Sequence, residues 1–360
     1  MNQTNTDTKN AKVRLTQLVK SAGCAAKIFP DILSEALKGI NWTTNENVLV
    51  GFDGKDDAGV YRINDDIALI HTTDFFTPVV DDPYIFGQIA ATNALSDVYA
   101  MGGTPINALN IVAFPQTEDL SILKEILTGG LDKLNETGAV VIGGHSVDIP
   151  VILYGMAVTG TINPANVKAN NNAQPGDLLI LTKPLGTGFL NNMIKFDKLS
   201  DDQYKNLIAS MTRLNKNASE AMVQYNANAC TDITGFGLAG HSMQMAKASG
   251  VVLKFKVSDL PILDGVQTAI EKKLWTRGDK SNRDYTCNNI KYLGELNTDT
   301  EHIFFDPQTS GGLLISVPEE NSEQLLLHIQ NNGDPNAKII GEVLSPDNDN
   351  TTGTIIFDFT

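Results

Sequence analysis

The residues with the clearest chemical potential are four aspartates, Asp56, Asp57, Asp74 and Asp97, together with Asn93. Asn93 and Asp97 are four residues apart in a predicted helix, so their oxygens leave the same face. Hard oxygen ligands on neighbouring elements suit Mg²⁺, which proteins commonly hold with one or two carboxylates and substrate phosphates. Because the chain has 42 acidic residues, ordinary surface aspartates are the alternative interpretation.

A second candidate is Cys24, which stands among small residues near the N-terminus with Lys27 three positions later. A nearby positive charge favours the thiolate, the form that attacks or binds soft atoms. The Gly- and Ala-rich surroundings suit a loop that closes over a site. A buried, inert cysteine is the alternative.

Three glycine-rich stretches could approach phosphate. Gly143-Gly144-His145-Ser146 follows an apolar predicted strand, where backbone N–H groups can come close to an anion; a purely structural turn is equally consistent. For Gly186-Thr187-Gly188 we favour the structural interpretation. The stretch from Gly235 to Gly240 matches the dinucleotide fingerprint G-x-G-x-x-G, but the short segment before it carries Asp232, which argues against a Rossmann site. The chain has no Walker A sequence.

Composition limits the partners. The formal charge is 27 − 42 = −15, which disfavours nucleic acid and anionic membranes, and a polyphosphate substrate would need bridging cations. The three cysteines are widely spaced, which excludes a Cys-based zinc site and suggests reduced thiols in the cytoplasm. The N-terminal stretch lacks the apolar core of a secretory signal. We therefore expect a cytoplasmic protein that binds neither nucleic acid nor membrane.

The elements that must position these residues alternate in a mixed order. Adjacent strands without an intervening helix predict a mixed or antiparallel sheet, hence an α+β fold. In the first half we predict strands over 59–63, 67–72, 106–113, 139–142 and 151–162, with helices over 83–101 and 120–135. In the second half we predict strands over 178–182, 230–234, 251–257, 313–317 and 339–343, helices over 203–225, 238–249 and 321–331, and a loop-rich segment over 276–290.

The chain length of 360 residues favours two domains. Residues 163–176, with a proline near each end and a run of Asn, are poor in packing groups and predict the linker. This divides the chain into a disordered tail (1–12), a mobile loop (13–27), an N-terminal domain (28–165) and a C-terminal α+β domain (176–360).

Taken in order, these motifs resemble the selenophosphate synthetase (selenide, water dikinase) family, from a superfamily that includes aminoimidazole ribonucleotide synthetase. The resemblance covers roughly residues 14–345. It rests on matches at 14–16, Gly23-Cys24-x-x-Lys27, 55–58, 72–76, 91–97 with 101–103, 143–146, 231–237 and Asp306-Pro307-Gln308-Thr309-Ser310-Gly311-Gly312. The cysteine and lysine loop separates this family from its sister families, which share parts of the acidic and glycine-rich motifs.

The resemblance implies an activity and a set of roles. The family converts ATP, hydrogen selenide and water into selenophosphate, AMP and orthophosphate. The resemblance implies that the mobile loop 13–27 is catalytic and that the N-terminal domain 28–165 binds ATP and forms the dimer. By resemblance Cys24 is the catalytic position and Lys27 its partner, Gly235–Gly240 is a turn that positions Asp232, and the fold is an N-terminal α+β domain that pairs into a dimeric barrel plus a C-terminal α+β sandwich. The implied magnesium ligands are Asp57, Asp97 and Asp232, and the implied nucleotide contacts are Lys27, Gly54, Lys55, Asp56, Asp74, Asp97, Gly144, His145 and Ser146.

Two other functions stay open from sequence. The chain could be another ATP-dependent kinase or synthetase of the same superfamily, which the Cys24 and Lys27 loop argues against. It could also be a non-catalytic selenide or thiol carrier that retained the fold.

Overall fold

The computed structural model describes residues 14–17, 23, 30–52, 56–348 and 351–360. The predicted tail and most of the predicted catalytic loop lie outside this part of the chain, as do four predicted site residues: Cys24, Lys27, Gly54 and Lys55. The described residues form two mixed β-sheets covered by helices, which confirms the α+β prediction.

The first sheet has six strands in the order β1-β2-β3-β6-β4-β5. Only β4 and β5 pair in parallel, so the sheet is mixed. Strand β5 forms one edge, and most of its residues are exposed. The strands are β1 (Val48–Val50), β2 (Gly59–Arg62), β3 (Ala68–Phe76), β4 (Thr104–Ala113), β5 (Val140–Val147) and β6 (Leu153–Ile162).

Three helices accompany this sheet: α1 (Pro30–Leu37), α2 (Pro83–Ala100) and α3 (Leu120–Asn135). Helix α2 begins as predicted, because the Asp82 side chain accepts a hydrogen bond from the amide of Ile85 and proline follows it. Its centre is almost wholly buried. Gly87 lets α2 approach α3 closely, since a Cβ there would lie 2.0 Å from the carbonyl oxygen of Ile126.

The second sheet has seven strands in the order β10-β13-β9-β12-β7-β11-β8. The pairs β10–β13 and β13–β9 are parallel and the others antiparallel. The strands are β7 (Asp177–Leu181), β8 (Ala229–Asp232), β9 (Val252–Lys256), β10 (Ile290–Leu293), β11 (Leu313–Pro318), β12 (Lys338–Leu344) and β13 (Ile355–Asp358).

Helices cover both faces of this sheet at β7 and β11, so these two strands are buried along nearly their whole length rather than on alternate residues. In β7, Leu179 and Leu181 belong to one apolar cluster and Ile180 to another. The helices are α4 (Thr187–Lys195), α5 (Asp201–Thr212), α6 (Lys216–Gln224), α7 (Gly237–Ser249), α8 (Val266–Glu271), α9 (Arg277–Thr286), α10 (Thr298–Phe305) and α11 (Glu319–Asn331).

Three predicted elements are wrong. The single helix over 203–225 is two helices, α5 and α6, because Arg213 and Asn215 between them bind tertiary partners, Asp334 and Ser96. The loop-rich segment 276–290 contains helix α9. The stretch 143–146 is not a loop after a strand but part of β5 itself.

The predicted linker is also wrong in one respect, since part of it is packed. Asn170 and Ala173 are both buried. Ser249 holds this segment from the second half: its hydroxyl donates to the carbonyl of Asn170 and accepts from the amide of Ala173. Ser249 therefore fixes this segment through its backbone, so the segment is not a free tether.

One apolar cluster runs through both halves of the chain and includes Val158 of the first sheet and Leu181 of the second. Among the described residues, no helix has both the length and the hydropathy needed to cross a bilayer.

Candidate active site

Helix α2 and strand β3 hold two polar pairs side by side. The Asn93 amide donates to Asp74 Oδ2 over 2.6 Å, and the Thr72 hydroxyl donates to Asp97 Oδ2. Positions 72 and 74 share one face of the strand, and positions 93 and 97 share one face of the helix. The predicted common face of Asn93 and Asp97 is therefore turned toward β3.

A group of potential metal ligands stands where the two halves meet. Among the described residues, one ligand atom each from Asp57, Asp232 and His241 lies within 4.8 Å of the other two. Asp232 ends β8 and is 1% exposed. The Thr231 hydroxyl of β8 donates to Asp57 Oδ1 over 2.9 Å, so the second half orients a carboxylate of the first.

The electrostatics of this group favour a cation. Burial raises the pKa of Asp57 well above its usual range, and the nearby charges of Asp232, Asp56 and Asp97 raise it further. Asp57 Oδ2 is buried and has no hydrogen-bond partner within the described part of the chain. Oxygen ligands gathered against their mutual repulsion fit Mg²⁺, so this donor set is compatible with the metal that the resemblance implies.

Asp56 connects the cluster to the packed connecting segment. Its carboxylate accepts hydrogen bonds from the amides of Asp57 and Asn170, over 3.0 and 3.1 Å. Burial raises its pKa to about 6, and these two amides oppose the rise. The carboxylate is thus held in place from both halves of the chain.

The turn Gln308–Gly312 lies against helix α2 at Asn93. The Ser310 amide donates to Asn93 Oδ1 over 2.9 Å, so the turn reaches Asp74 through a single side chain. Ser310 has a φ of 51°, which is the left-handed region. Its carbonyl accepts from the wholly buried Lys183 Nζ over 3.0 Å.

The described fragments of the N-terminal segment are anchored to both halves. Arg14 pairs with Asp81 and Asp197, each over 2.8 Å. The Gly23 amide donates to the carbonyl of Thr77, and a Cβ on Gly23 would lie 2.7 Å from the Thr309 hydroxyl oxygen. Gly23, with a φ of 58°, therefore occupies a place with no room for a side chain, next in the chain to Cys24.

Within one chain, the structure does not bring the stretch 144–146 next to Asp74. Asp74, Met156, Asn110 and Gly144 form one row across β3, β6, β4 and β5. Three strand spacings of about 4.8 Å separate the ends of that row by roughly 14 Å. Gly144, His145 and Ser146 instead lie exposed on the edge strand.

The other two glycine stretches are structural. The α4 amides of Gly188 and Phe189 donate to Asp306, and those of Gly186 and Thr187 donate to Gln308. This helix N-terminus therefore has no free amides for a phosphate. The stretch 235–240 follows β8, an edge strand that pairs only with β11 and antiparallel, so the rejection of a Rossmann site agrees with the topology.

Sequence reasoning missed His241, which joins the acidic group from α7. Its Nε2 accepts from the Phe236 amide and lies 3.2 Å from the Thr234 hydroxyl, so the ring supports the turn that follows Asp232. The available signal was its position in the first turns of the helix that follows an aspartate-ended strand. Lys183 was also missed, because nothing in the sequence distinguishes a buried lysine.

Comparison with known proteins agrees with this arrangement. The model for the N-terminal domain of AIR synthase related proteins matches residues 55–162, and the model for their C-terminal domain matches residues 174–352. Among solved structures, AaThiL complexed with AMPPCP and TMP has a TM-score of 0.66 at 19% identity, covering 91% of both chains. The hydrogenase maturation protein HypE in complex with ATP has a TM-score of 0.64 at 17% identity, covering 90% of both chains.

Curated relatives are much closer in sequence. The selenide, water dikinase of Clostridioides difficile is 46% identical over 93% of this chain and 97% of its own length. That of Caldanaerobacter subterraneus subsp. tengcongensis is 48% identical over 92% of this chain and 96% of its own length. With this identity over nearly the full length of both proteins, the chain belongs to the selenide, water dikinase family.

Proposed function

We propose that this chain makes selenophosphate from ATP, hydrogen selenide and water, and releases AMP and orthophosphate. One observation carries the proposal: the half-buried Asp57 of the first half and the buried Asp232 of the second meet in one group of potential metal ligands. Family membership assigns that group to a dikinase. Such an enzyme handles two phosphoryl transfers, whose charge needs cationic stabilisation.

Asp57, Asp97 and Asp232 would hold Mg²⁺ in the working enzyme. The bound ions would offset the charge on the phosphate oxygens. The protein's own contribution is to gather the carboxylates: Thr231 orients Asp57, and Thr72 orients Asp97. Without hydrogen bonds of this kind, mutual repulsion would turn the side chains away from one another.

The remaining predicted residues divide into nucleotide contacts and the reacting loop. The half-buried Asp56, which accepts from the amides of Asp57 and Asn170, and the buried Asp74, which accepts from Asn93, are proposed nucleotide contacts. Gly54 and Lys55 stay predicted contacts. Cys24 and Lys27 stay the predicted catalytic pair. The anchored Gly23 supports their placement, because it fixes the chain directly before the cysteine against Thr309.

The test is phosphorus NMR of one reaction containing ATP, Mg²⁺ and selenide, with a parallel reaction lacking selenide. We expect selenophosphate, AMP and orthophosphate only when selenide is present. ADP formation that ignores selenide would instead indicate a sister kinase, and the absence of all products would indicate a carrier.

Two variants locate the reaction in the loop. Cys24→Ser should abolish selenide-dependent turnover, because a hydroxyl offers no thiolate at neutral pH. Lys27→Ala should act similarly, through loss of the charge beside the thiolate or a phosphate. Cys287→Ser is the matched control, since Cys287 is exposed and lies outside the predicted site. Wild-type output from the Cys24 variant would remove this residue from the mechanism.

The homodimer stays part of the proposal. Strand β5 presents an exposed edge with Val140 and Ile142 more than half exposed, and Leu109 of β4 is also exposed. A second copy pairing there would cover these apolar side chains and the unpaired strand edge. Sedimentation should show a dimer that Ile142→Asp converts to a monomer; an unchanged sedimentation coefficient would place the contact elsewhere.

A further inference from the structure

A hydrogen-bond chain runs from a lysine buried in the second half to a carboxylate of the first. Lys183 Nζ donates to the Ser310 carbonyl, the Ser310 amide donates to Asn93 Oδ1, and the Asn93 amide donates to Asp74 Oδ2. All four residues are buried, from 0% exposure at Lys183 to 8% at Asp74. Every link joins a donor to an acceptor at 3.0 Å or less.

The Ser310 amide fixes the direction in which donors and acceptors follow one another along this hydrogen-bond chain. An asparagine side chain can rotate by 180° and exchange its oxygen with its NH₂ group. Because the Ser310 N–H requires the oxygen on its side, the NH₂ group of Asn93 is turned toward Asp74. If the turn moved away, nothing in this chain of hydrogen bonds would fix the orientation of the Asn93 side chain. Its oxygen could then face the carboxylate of Asp74 and repel it.

The turn itself needs external support. Ser310 has a left-handed φ of 51°, which costs an L-residue other than glycine about 1 kcal/mol or more. Lys183 binds its carbonyl, and the Asn215 side chain binds the next carbonyl, that of Gly311, over 2.9 Å. Two donors from different elements therefore hold consecutive carbonyls of a strained turn.

The same turn also touches the N-terminal segment. Thr309, directly before Ser310, lies against Gly23, where a Cβ would come within 2.7 Å of its hydroxyl oxygen. Movement of the turn would therefore affect both Asp74 and the residue before Cys24.

We infer that Lys183 and Asn215 are positioning residues of the proposed reaction, which hold the Thr309–Gly311 turn so that Ser310 and Asn93 orient Asp74 toward the nucleotide. This inference rests on the proposed function, in which Asp74 contacts ATP. Neither residue touches the nucleotide, and both act through the turn. Lys183 performs this role whether charged or neutral, because an amine retains two N–H donors for its two carbonyl partners, Ser310 and Arg213.

The test is a double-mutant cycle on ATP affinity in the full-length protein, measured by calorimetry with Mg²⁺-ATP. Lys183→Met should weaken binding about tenfold, an ordinary size for coupled neighbours. Asn93→Ala should weaken it by at least as much. If Lys183 acts through Asn93, the double variant should bind no more weakly than Asn93→Ala alone, whereas a purely structural lysine would give losses that multiply.

Lys133→Met is the matched control, because Lys133 is also buried but pairs with Glu136 at the end of helix α3 rather than with the turn. It should leave ATP affinity within about twofold of wild type. Should Lys183→Met fail to fold, Asn215→Ala enters the cycle in its place with the same expectation.

The outcomes separate the two claims. A wild-type protein that binds no ATP overturns the proposed function and this inference together. A wild type that binds ATP and makes selenophosphate, with losses at positions 183 and 93 that multiply, overturns the inference alone. A variant at position 183 that loses thermal stability but keeps wild-type ATP affinity also overturns it.

Discussion

Asp57 Oδ2 and the side chain of Asp306 are both buried, and burial raises the pKa of Asp57 and of Asp306. Their surroundings differ. Asp306 Oδ2 accepts hydrogen bonds from the backbone amides of Gly188 and Phe189 at the N-terminus of α4. Asp57 instead lies near three other carboxylates. A helix N-terminus carries partial positive charge that compensates one carboxylate. The Asp57 carboxylate accepts a hydrogen bond from the Thr231 hydroxyl, but the nearby charges of Asp232, Asp56 and Asp97 all disfavour its ionisation.

This difference distinguishes a carboxylate that stabilises the fold from a group of carboxylates that binds a cation. Asp306 contributes to folding because its partners are supplied by the same fold. We expect the group around Asp57 to lower the stability of the metal-free protein, since like charges are held together away from bulk water. A bound cation would convert that cost into binding free energy. Three predictions test this distinction, from the largest effect to the smallest.

Asp57→Asn should reduce Mg²⁺-dependent AMP formation about a hundredfold or more, because a metal ligand for the transferring phosphoryl groups is lost. The free energy of unfolding of the metal-free protein should stay unchanged or rise, since one of the repelling charges disappears. Coupled AMP assays and urea unfolding without metal measure the two effects. Asp97→Asn and Asp232→Asn should behave in the same way.

The control for this prediction is Asp202→Asn, because the Asp202 side chain is 91% exposed and pairs only loosely with Lys205, over 3.7 Å. It should change neither quantity. If Asp57→Asn instead unfolds early while it forms AMP with wild-type magnesium dependence, the carboxylate belongs to the scaffold.

Asp306→Ala should produce the opposite ranking. Removing the acceptor leaves the first amides of α4 buried without partners, which we expect to lower the free energy of unfolding by about 2–4 kcal/mol. Magnesium affinity, measured by titration of the folded protein, should stay within about twofold. Asp306→Asn, which retains an acceptor oxygen, should cost less; equal losses for both variants would contradict the capping role.

Lys183 allows the effect of burial on an ionisable group to be tested with a basic side chain instead of a carboxylate. Burial lowers its pKa to about 7 from the ordinary 10.5, so between these values the unfolded chain binds more protons than the folded one. Stability contributed by this group therefore falls as pH drops toward 7 and rises with increasing pH. From pH 7 to 9, wild type should gain about 1–2 kcal/mol relative to Lys183→Met. Urea unfolding at each pH measures this difference. If the free energies of unfolding of the two proteins change equally from pH 7 to 9, the lowered pKa of Lys183 is contradicted.

Sequence patterns predicted the elements whose signals are local. Helix α2 follows from Asp82 and Pro83, and helix α3 was predicted over the residues where it is found, 120–135. Patterns failed where polar residues find distant partners. Helix α9 looked like a loop because its composition is polar, but Asn282 binds the carbonyls of Gly235 and Phe305, which are supplied by other elements.

The same division holds within the site. Residue types and motif order determined the family, the acidic residues worth testing and the common face of Asn93 and Asp97, because each depends on neighbours in the chain or on short spacings. Only the tertiary structure decided that Asp57 meets Asp232, 175 positions later by their numbering, that Gly144 lies three strands from Asp74, and that Lys183 is buried behind Ser310. Those relations arise from sheet order and from the packing of two halves, which no local pattern of residues encodes.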